Sequence, residues 1–196
     1  MEEVTVQESS APSEKLIVRA QCIENRVELS LSMEKSYERT RVIKKPGILA
    51  QVENLPPRIE TLTVSRGTLK LYPSLTVLNP DKSGIFSIPL NLLDPDQSQY
   101  SFEYLSPEGT SRSSNFEVNW GEFSSTALIA AGDEAFKNQD LHRAAGFYGL
   151  GGEIEKSVQV LILLGDAALK EKNYSSAVEY FKSAGHEEKQ KTKNHF

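Results

Sequence analysis

One pattern is written twice between residues 128 and 185, and it limits what that stretch can fold into more than any other feature. The first copy reads LIAAGDEAFKNQDLHRAAGFYGLGG and the second LILLGDAALKEKNYSSAVEYFKSAG, aligned without a gap at an offset of about 33 residues. Leu128 falls on Leu161, Gly132 on Gly165, Ala135 on Ala168, Ala144 on Ala177, Tyr148 on Phe181 and Gly151 on Ala184. Apolar residues recur at three and four positions, so each copy is expected to be a pair of helices. The polar stretches at 137–140 and 170–173 supply the turn inside each pair. Gly in a helix interior costs about 1 kcal/mol against Ala, so its recurrence at Gly132 and Gly165 predicts a packing need. The ring of Tyr148 or Phe181 on the paired helix is expected to fill the room left there. Ala144 and Ala177 then let the two helices of a pair approach closely. On this reading Gly165→Leu overpacks its hairpin and destabilises it by roughly 1–3 kcal/mol.

The order Leu, Gly, small residue, then Ala, aromatic, small residue resembles the tetratricopeptide repeat. Leu161, Leu164, Gly165, Ala168, Ala177, Phe181 and Ala184 fall at that family's signature spacings in the second copy. Leu128, Ala131, Gly132, Ala135, Ala144, Tyr148 and Gly151 do so in the first. Both copies lack the family's closing Pro, and the period is one short of the standard ~34 residues, which leaves a coat-type α-solenoid open. Ankyrin shares the period, but its Thr-Pro-Leu-His signature is absent. The resemblance covers the last third of the chain and implies an antiparallel array of helical hairpins that binds a protein partner. Family members that clamp a C-terminal carboxylate carry Lys and Asn on the first helix of each pair. Ile129, Asp133 and Leu163 stand at those places here, so a carboxylate clamp is not implied.

Upstream of the repeat the period changes to two. Leu16, Val18, Ala20 and Cys22 alternate, and after a turn at Glu24-Asn25 so do Val27, Leu29, Leu31 and Met33, which predicts a hairpin. Further short strands are expected at 41–44, 48–53, 58–64, 68–72, 75–78, 84–88, 99–105 and 114–120. Short strands separated by Pro, Gly, Asn and Asp predict an all-β sandwich or small barrel. Tyr100, Phe102 and Tyr104 alternate on one strand, followed across a Pro107-Glu108-Gly109 turn by Phe116, Val118 and Trp120. The approach Leu92-Leu93-Asp94-Pro95-Asp96 resembles the corner before the penultimate strand of an immunoglobulin-like or fibronectin type III-like sandwich. About twenty residues here are also similar to the end of a SKICH domain, and no function is carried across from that similarity.

The domain plan expected is therefore a flexible arm at 1–14, a sandwich at 15–120, a link at 121–125, two helical repeats at 126–185 and, at 186–196, a polar tail or the start of a truncated third repeat. So short a link predicts halves that touch, with Trp120 and Phe123 at the junction. The fold class is α+β: an immunoglobulin-like β-sandwich followed by a tetratricopeptide-like hairpin array.

No active site is legible in the chain. Phosphate-binding, dinucleotide and nucleophile-elbow motifs are absent from the sequence. His142, His186 and His195 lack metal-ligand spacing and are read as solvated. Asp81, Asp94 and Asp96 are read as turn-formers beside Pro80 and Pro95, with a calcium site as the sharper alternative. Cys22 is read as a buried apolar residue, and no cofactor or metal is expected. Lys35, Arg39, Arg41, Lys44 and Lys45 form a basic stretch read as a solvated strand edge. Tyr100, Phe102 and Tyr104 are read as core, with a sugar-stacking platform as the alternative. A net charge of -5 and a pI near 5.4 offer no electrostatic case for nucleic acid. The acidic, polar residues 1–14 do not resemble a signal peptide, and no apolar run approaches the ~20 residues of a membrane span. Cytoplasm is the expected location.

The function expected is a non-enzymatic interaction scaffold or adaptor, the alternative being a glycan- or lipid-headgroup-binding module in the sandwich. Carried on in register, the repeat puts Lys189 on Lys156, but Lys191 and Lys193 stand where Val158 and Val160 belong. The outer face of the second hairpin, around Val178 and Phe181, is therefore expected to be incompletely covered, and open to a protein partner or a second copy of this chain.

Overall fold

We describe a computed structural model in which residues 3–47 and 49–193 are placed, with only the backbone described for 186–193. The period-two region forms β1 (Glu3–Glu8), β2 (Ser13–Ile23), β3 (Arg26–Lys44), β4 (Gln51–Thr63), β5 (Thr68–Tyr72), β6 (Val77–Leu78), β7 (Ile85–Pro89), β8 (Gln99–Leu105) and β9 (Ser111–Glu117). The repeat region forms α1 (Ser125–Lys137), α2 (Leu141–Gly151), α3 (Ile154–Lys170) and α4 (Tyr174–Lys193). The chain is thus α+β, with antiparallel sheets first and helices after.

β3 is the spine of the first sheet. β2 and β1 pair in turn along one of its edges, β7 and β4 along the other. The second sheet runs in the order β6-β5-β8-β9. Val27, Leu29, Leu31 and Phe86 of the first sheet share one buried core with Leu71 and Phe102 of the second. Each fully buried side chain of this kind is worth about 1.5–3 kcal/mol, and period-two alternation delivers them all to the same side.

Beyond that core the first sheet continues as a solvated ribbon of β1, the far half of β3, and β4. Four expectations are corrected there. Residues 1–14 are not a flexible arm throughout, because Glu3–Glu8 pairs with β3 over its full length. No residue of β1 is buried. It is held by main-chain bonds and by Glu8, which pairs with Arg39 at 3.3 Å and Arg58 at 3.2 Å. Neither do residues 41–44 form a separate strand, since β3 runs unbroken from the core. Its core-side positions simply change from Leu31 and Met33 to Lys35, Tyr37, Arg39 and Arg41 once no second sheet covers them. The basic stretch lies on this central strand, not on an edge, and Glu14, Glu8 and Glu53 pair with Lys35, Arg39 and Arg41 from the neighbouring strands. Finally, the strands expected at 48–53 and 58–64 are one strand, β4. Pro56 and Pro57 stand at a register shift opposite Tyr37–Arg39, where a bulged edge strand tolerates the missing donors. Of the expected 48–53 strand, Ile48 lies outside the described residues.

At the corner before β8 the Tyr100 hydroxyl donates to the Asp94 carbonyl at 2.6 Å and accepts from the Asp94 N–H at 2.9 Å. Burial pushes this phenol up to about 12. In the unfolded chain it ionises near 10, so the folded state binds the proton more tightly. The corresponding stability is complete below about pH 10 and is lost as pH rises through about 12. Tyr100→Phe is expected to reduce the alkaline loss of stability, measured as urea midpoints across that window. A pH dependence identical to wild type would exclude Tyr100 as a contributor.

The two halves meet over a continuous interface. After β9 a 3-10 turn at Trp120–Glu122 leads into α1, whose N-cap Ser124 Oγ accepts from Ala127 N at 3.2 Å. Phe147 of α2 is fully buried in the same core as β3, β7 and β8, with Leu128 and Ala131 beside it. Trp120 meets the Phe147 ring edge-on at 5.9 Å and lies 5.8 Å from Phe123, so both residues expected at the junction are there. Arg143 of α2 reaches the 3-10 turn before β8 and donates to the carbonyls of Leu93, at 3.0 and 2.7 Å, and of Asn91. Gly146 packs where a Cβ would stand 2.5 Å from Pro95 Cγ. The halves touch as expected, and they touch through a shared hydrophobic core.

Candidate functional site

The helical half repeats its geometry down to single turns. Gln139 and Lys172 both take left-handed backbone, at φ 62° and 60°. The next residue caps the following helix in each case: Asp140 accepts from Arg143 N, and Asn173 from Ser176 N, both at 3.3 Å. Inside each pair the expected Gly–aromatic contact is made. A Cβ on Gly132 would stand 2.8 Å from the Tyr148 ring, and one on Gly165 2.6 Å from the Phe181 ring. Leu128, Ala135, Ala144, Leu161, Ala168, Ala177 and Ala184 are all buried.

The two hairpins differ in what covers them. On the first, the face holding Gly132 and Tyr148 is covered by α3, and Tyr148 is only 3% exposed. There Asp133 accepts from the Tyr148 hydroxyl at 2.8 Å and from Lys156 Nζ at 2.9 Å. The ammonium also lies 5.0 Å from the centroid of the Tyr148 ring. The charges answer each other: hydrogen bonding from Lys156 lowers the Asp133 pKa, and Asp133 raises that of Lys156. Burial, helped by the hydrogen bond to Asp133, pushes the Tyr148 phenol up to about 12.

On the second hairpin the same face is bare. Phe181 is 37% exposed and Val178 49% on α4, and Ile162 is 42% exposed on α3, whereas their counterparts Tyr148 and Ala145 are buried and Ile129 is half-buried; Leu169 is as exposed as its counterpart Phe136, at 44%. Ile162, Gly165 and Leu169 follow one another at helical spacing, as do Tyr174, Val178 and Phe181, so the two apolar rows flank the Gly165–Phe181 contact. The backbone marks the difference as well. At Gly152 α2 ends in a left-handed cap with φ 81°, and the chain turns back as α3. The equivalent Gly185 lies within α4, which continues to Lys193. Val178 and Phe181, the partner-binding residues expected from sequence, are therefore brought together on this face; Ile162 and Leu169 were missed there. The signal for them was present, because Ile162 and Leu169 match Ile129 and Phe136 in the first copy.

Two grooves lie elsewhere on the helical half. One of about 290 Å³ runs between α1 and α3, with Phe136 and Leu163 on its walls and the Asp133–Lys156 pair within it. The other, about 410 Å³, lies between Pro95-Asp96 and helices α2 to α4, where Tyr180 Oη and His142 Nε2 hydrogen-bond at 2.8 Å.

The remaining candidates have local roles. Asp81 accepts from the N–H groups of Ser83 at 2.8 Å and Ile85 at 2.9 Å, and Asp94 accepts from Asp96 N at 3.0 Å. Both are turn geometry. Among the described residues no three His, Cys, Asp or Glu side chains gather as metal ligands would. Cys22 packs against the core, where burial raises its thiol pKa. Tyr100, Phe102 and Tyr104 are buried and offer no stacking surface for a sugar. His142 is exposed and bonded to Tyr180; the side chain of His186, and His195 entirely, lie outside the described residues. Among the described residues no helix is long and apolar enough to cross a membrane.

No family model matches this chain, and comparison with curated proteins and with solved structures finds no significant match.

Proposed function

We propose that this protein is a non-enzymatic interaction adaptor, in which the helical repeats bind a partner protein and the β half holds them rigidly. The observation that carries the reading is the bare apolar face of the second hairpin, set against its covered equivalent on the first. Contiguous exposed apolar surface of this kind marks interaction sites in soluble domains. The tetratricopeptide-like reading is supported by the repeated Gly–aromatic contacts and turn caps. An immunoglobulin-like reading of the β half is supported by the Tyr100 corner, whose hydroxyl returns to backbone six residues upstream. The Arg143 and Phe147 contacts give the helices a fixed mount, so a partner meets a preorganised surface.

Val178→Glu tests this in the full-length chain. The residue is half exposed, so its replacement is expected to shift stability by less than about 0.5 kcal/mol. Partner proteins that co-purify with wild type are expected to be lost from the variant. Retention of the same partners by Val178→Glu, with loss on substitution in the β ribbon, would move the binding site to the other half.

A further inference from the structure

The first hairpin carries, within the molecule, a worked example of what its face accepts: an amphipathic helix with a cation at its start. α3 supplies Lys156 to Asp133 and to the Tyr148 ring, then Val158, Val160, Leu161 and Leu164 to the core behind them. One repeat along, Asp166 stands at the position of Asp133 and Phe181 at that of Tyr148. Among the described residues the Asp166 side chain has neither a hydrogen bond nor an ion pair. Phe181 has no hydroxyl to offer it, whereas Tyr148 bonds Asp133. An unpaired carboxylate beside an exposed aromatic face is a seat for a cation, which gains from both the charge and the ring quadrupole.

We propose that the bare face of the second hairpin docks an amphipathic helix from a partner protein, one that places a Lys or Arg against Asp166 and Phe181. Its apolar residues follow that cation at +2, +4, +5 and +8, as Val158, Val160, Leu161 and Leu164 follow Lys156, and cover Ile162 and Val178. The helix extends the stack by half a repeat, and burial of an apolar face by the next unit is what stabilises such arrays. This rests on the adaptor reading and adds the chemistry of the partner to it.

A labelled peptide with the sequence of residues 153–170 is a direct probe, since it is the helix that covers the equivalent face. Titrated into the full chain and followed by fluorescence anisotropy, it is expected to bind saturably. Val178→Glu in the protein abolishes that binding, which also separates docking from exchange with the chain's own α3, because exchange would not sense Val178. Lys156→Glu in the peptide weakens binding about tenfold, and Asp166→Lys in the protein restores it. No binding, or binding indifferent to Val178→Glu, overturns the proposal. Binding that senses Val178 but not the charge swap overturns the cation seat at its centre. Self-association of the chain in sedimentation, abolished by Val178→Glu, would assign the face to a second copy instead. Failure of the peptide while Val178→Glu still releases natural partners would leave the adaptor reading standing and remove this one.

Discussion

Phe147→Ala is expected to lower the free energy of unfolding by about 3–5 kcal/mol, and to do so in both halves at once. Phe147 is fully buried in the cluster that also holds core residues of β3, β7 and β8, and Trp120 meets its ring. Removing the ring leaves a cavity where two kinds of secondary structure meet and also removes the edge-on contact with Trp120, a further loss of about 0.5–1.5 kcal/mol. Domains of this size are stable by about 5–15 kcal/mol, so the loss is a large share of the whole. Urea denaturation can follow it with two probes, helical circular dichroism and the fluorescence of Trp120, the chain's single tryptophan. The two curves are expected to move together to lower urea. Helices that melt early while Trp120 keeps its wild-type midpoint would show that the halves fold as separate units.

Trp120 and Phe123 were legible at the junction, but the α2 residues that join them there were not, for a reason visible in the repeat itself. Arg143, Gly146 and Phe147 match Ser176, Glu179 and Tyr180 of the second copy. They read there as scatter in an otherwise regular pattern. In the structure they are the positions where α2 meets the β half. Departure from the repeat was thus itself the signal for an interface, and alignment alone gives it no direction. The paired Gly and aromatic residues were legible because a cost of about 1 kcal/mol, incurred twice at one register, demands a steric cause.

The β ribbon was misread for the opposite reason. Periodicity reports burial on one face, and neither β1 nor the far half of β3 contains a fully buried residue. Their order comes from main-chain pairing and from Glu–Arg and Glu–Lys pairs across strands, which leave no apolar alternation to detect. Pro56 and Pro57 read as a break, and only the register shows that the strand bulges there and resumes. The bare face was legible in outline from Val178 and Phe181, whereas Ile162 and Leu169 sit within a long apolar run. Which side of α3 they take is decided by the packing of Leu161, Leu164 and Gly165.

Gly132→Leu is expected to destabilise the protein by about 1–3 kcal/mol, even though Leu favours helix over Gly by close to 1 kcal/mol. A Cβ at this position would stand 2.8 Å from two ring atoms of Tyr148. That ring cannot give way easily. It is almost fully buried, its hydroxyl is bonded to Asp133, and Lys156 lies over its face. Gly165 presents the same geometry with the opposite freedom. Its Cβ would meet Cε1 and Cζ of Phe181, the far end of a ring that is 37% exposed and lacks a hydroxyl anchor. Phe181 can swing toward solvent, so Gly165→Ala is expected near neutral or stabilising by up to about 1 kcal/mol. Gly132→Ala is expected to be destabilising. Gly165→Leu then falls at the lower end of the range expected from sequence. Thermal melts of the four variants decide it. Equal shifts at the two glycines would mean that Phe181 is held as firmly as Tyr148, and that the face around it is not bare in solution. A bound partner helix would produce that equality by pinning the Phe181 ring. The difference between Gly132→Ala and Gly165→Ala, measured with and without the peptide, therefore reports on the occupancy of the face as well as on its packing.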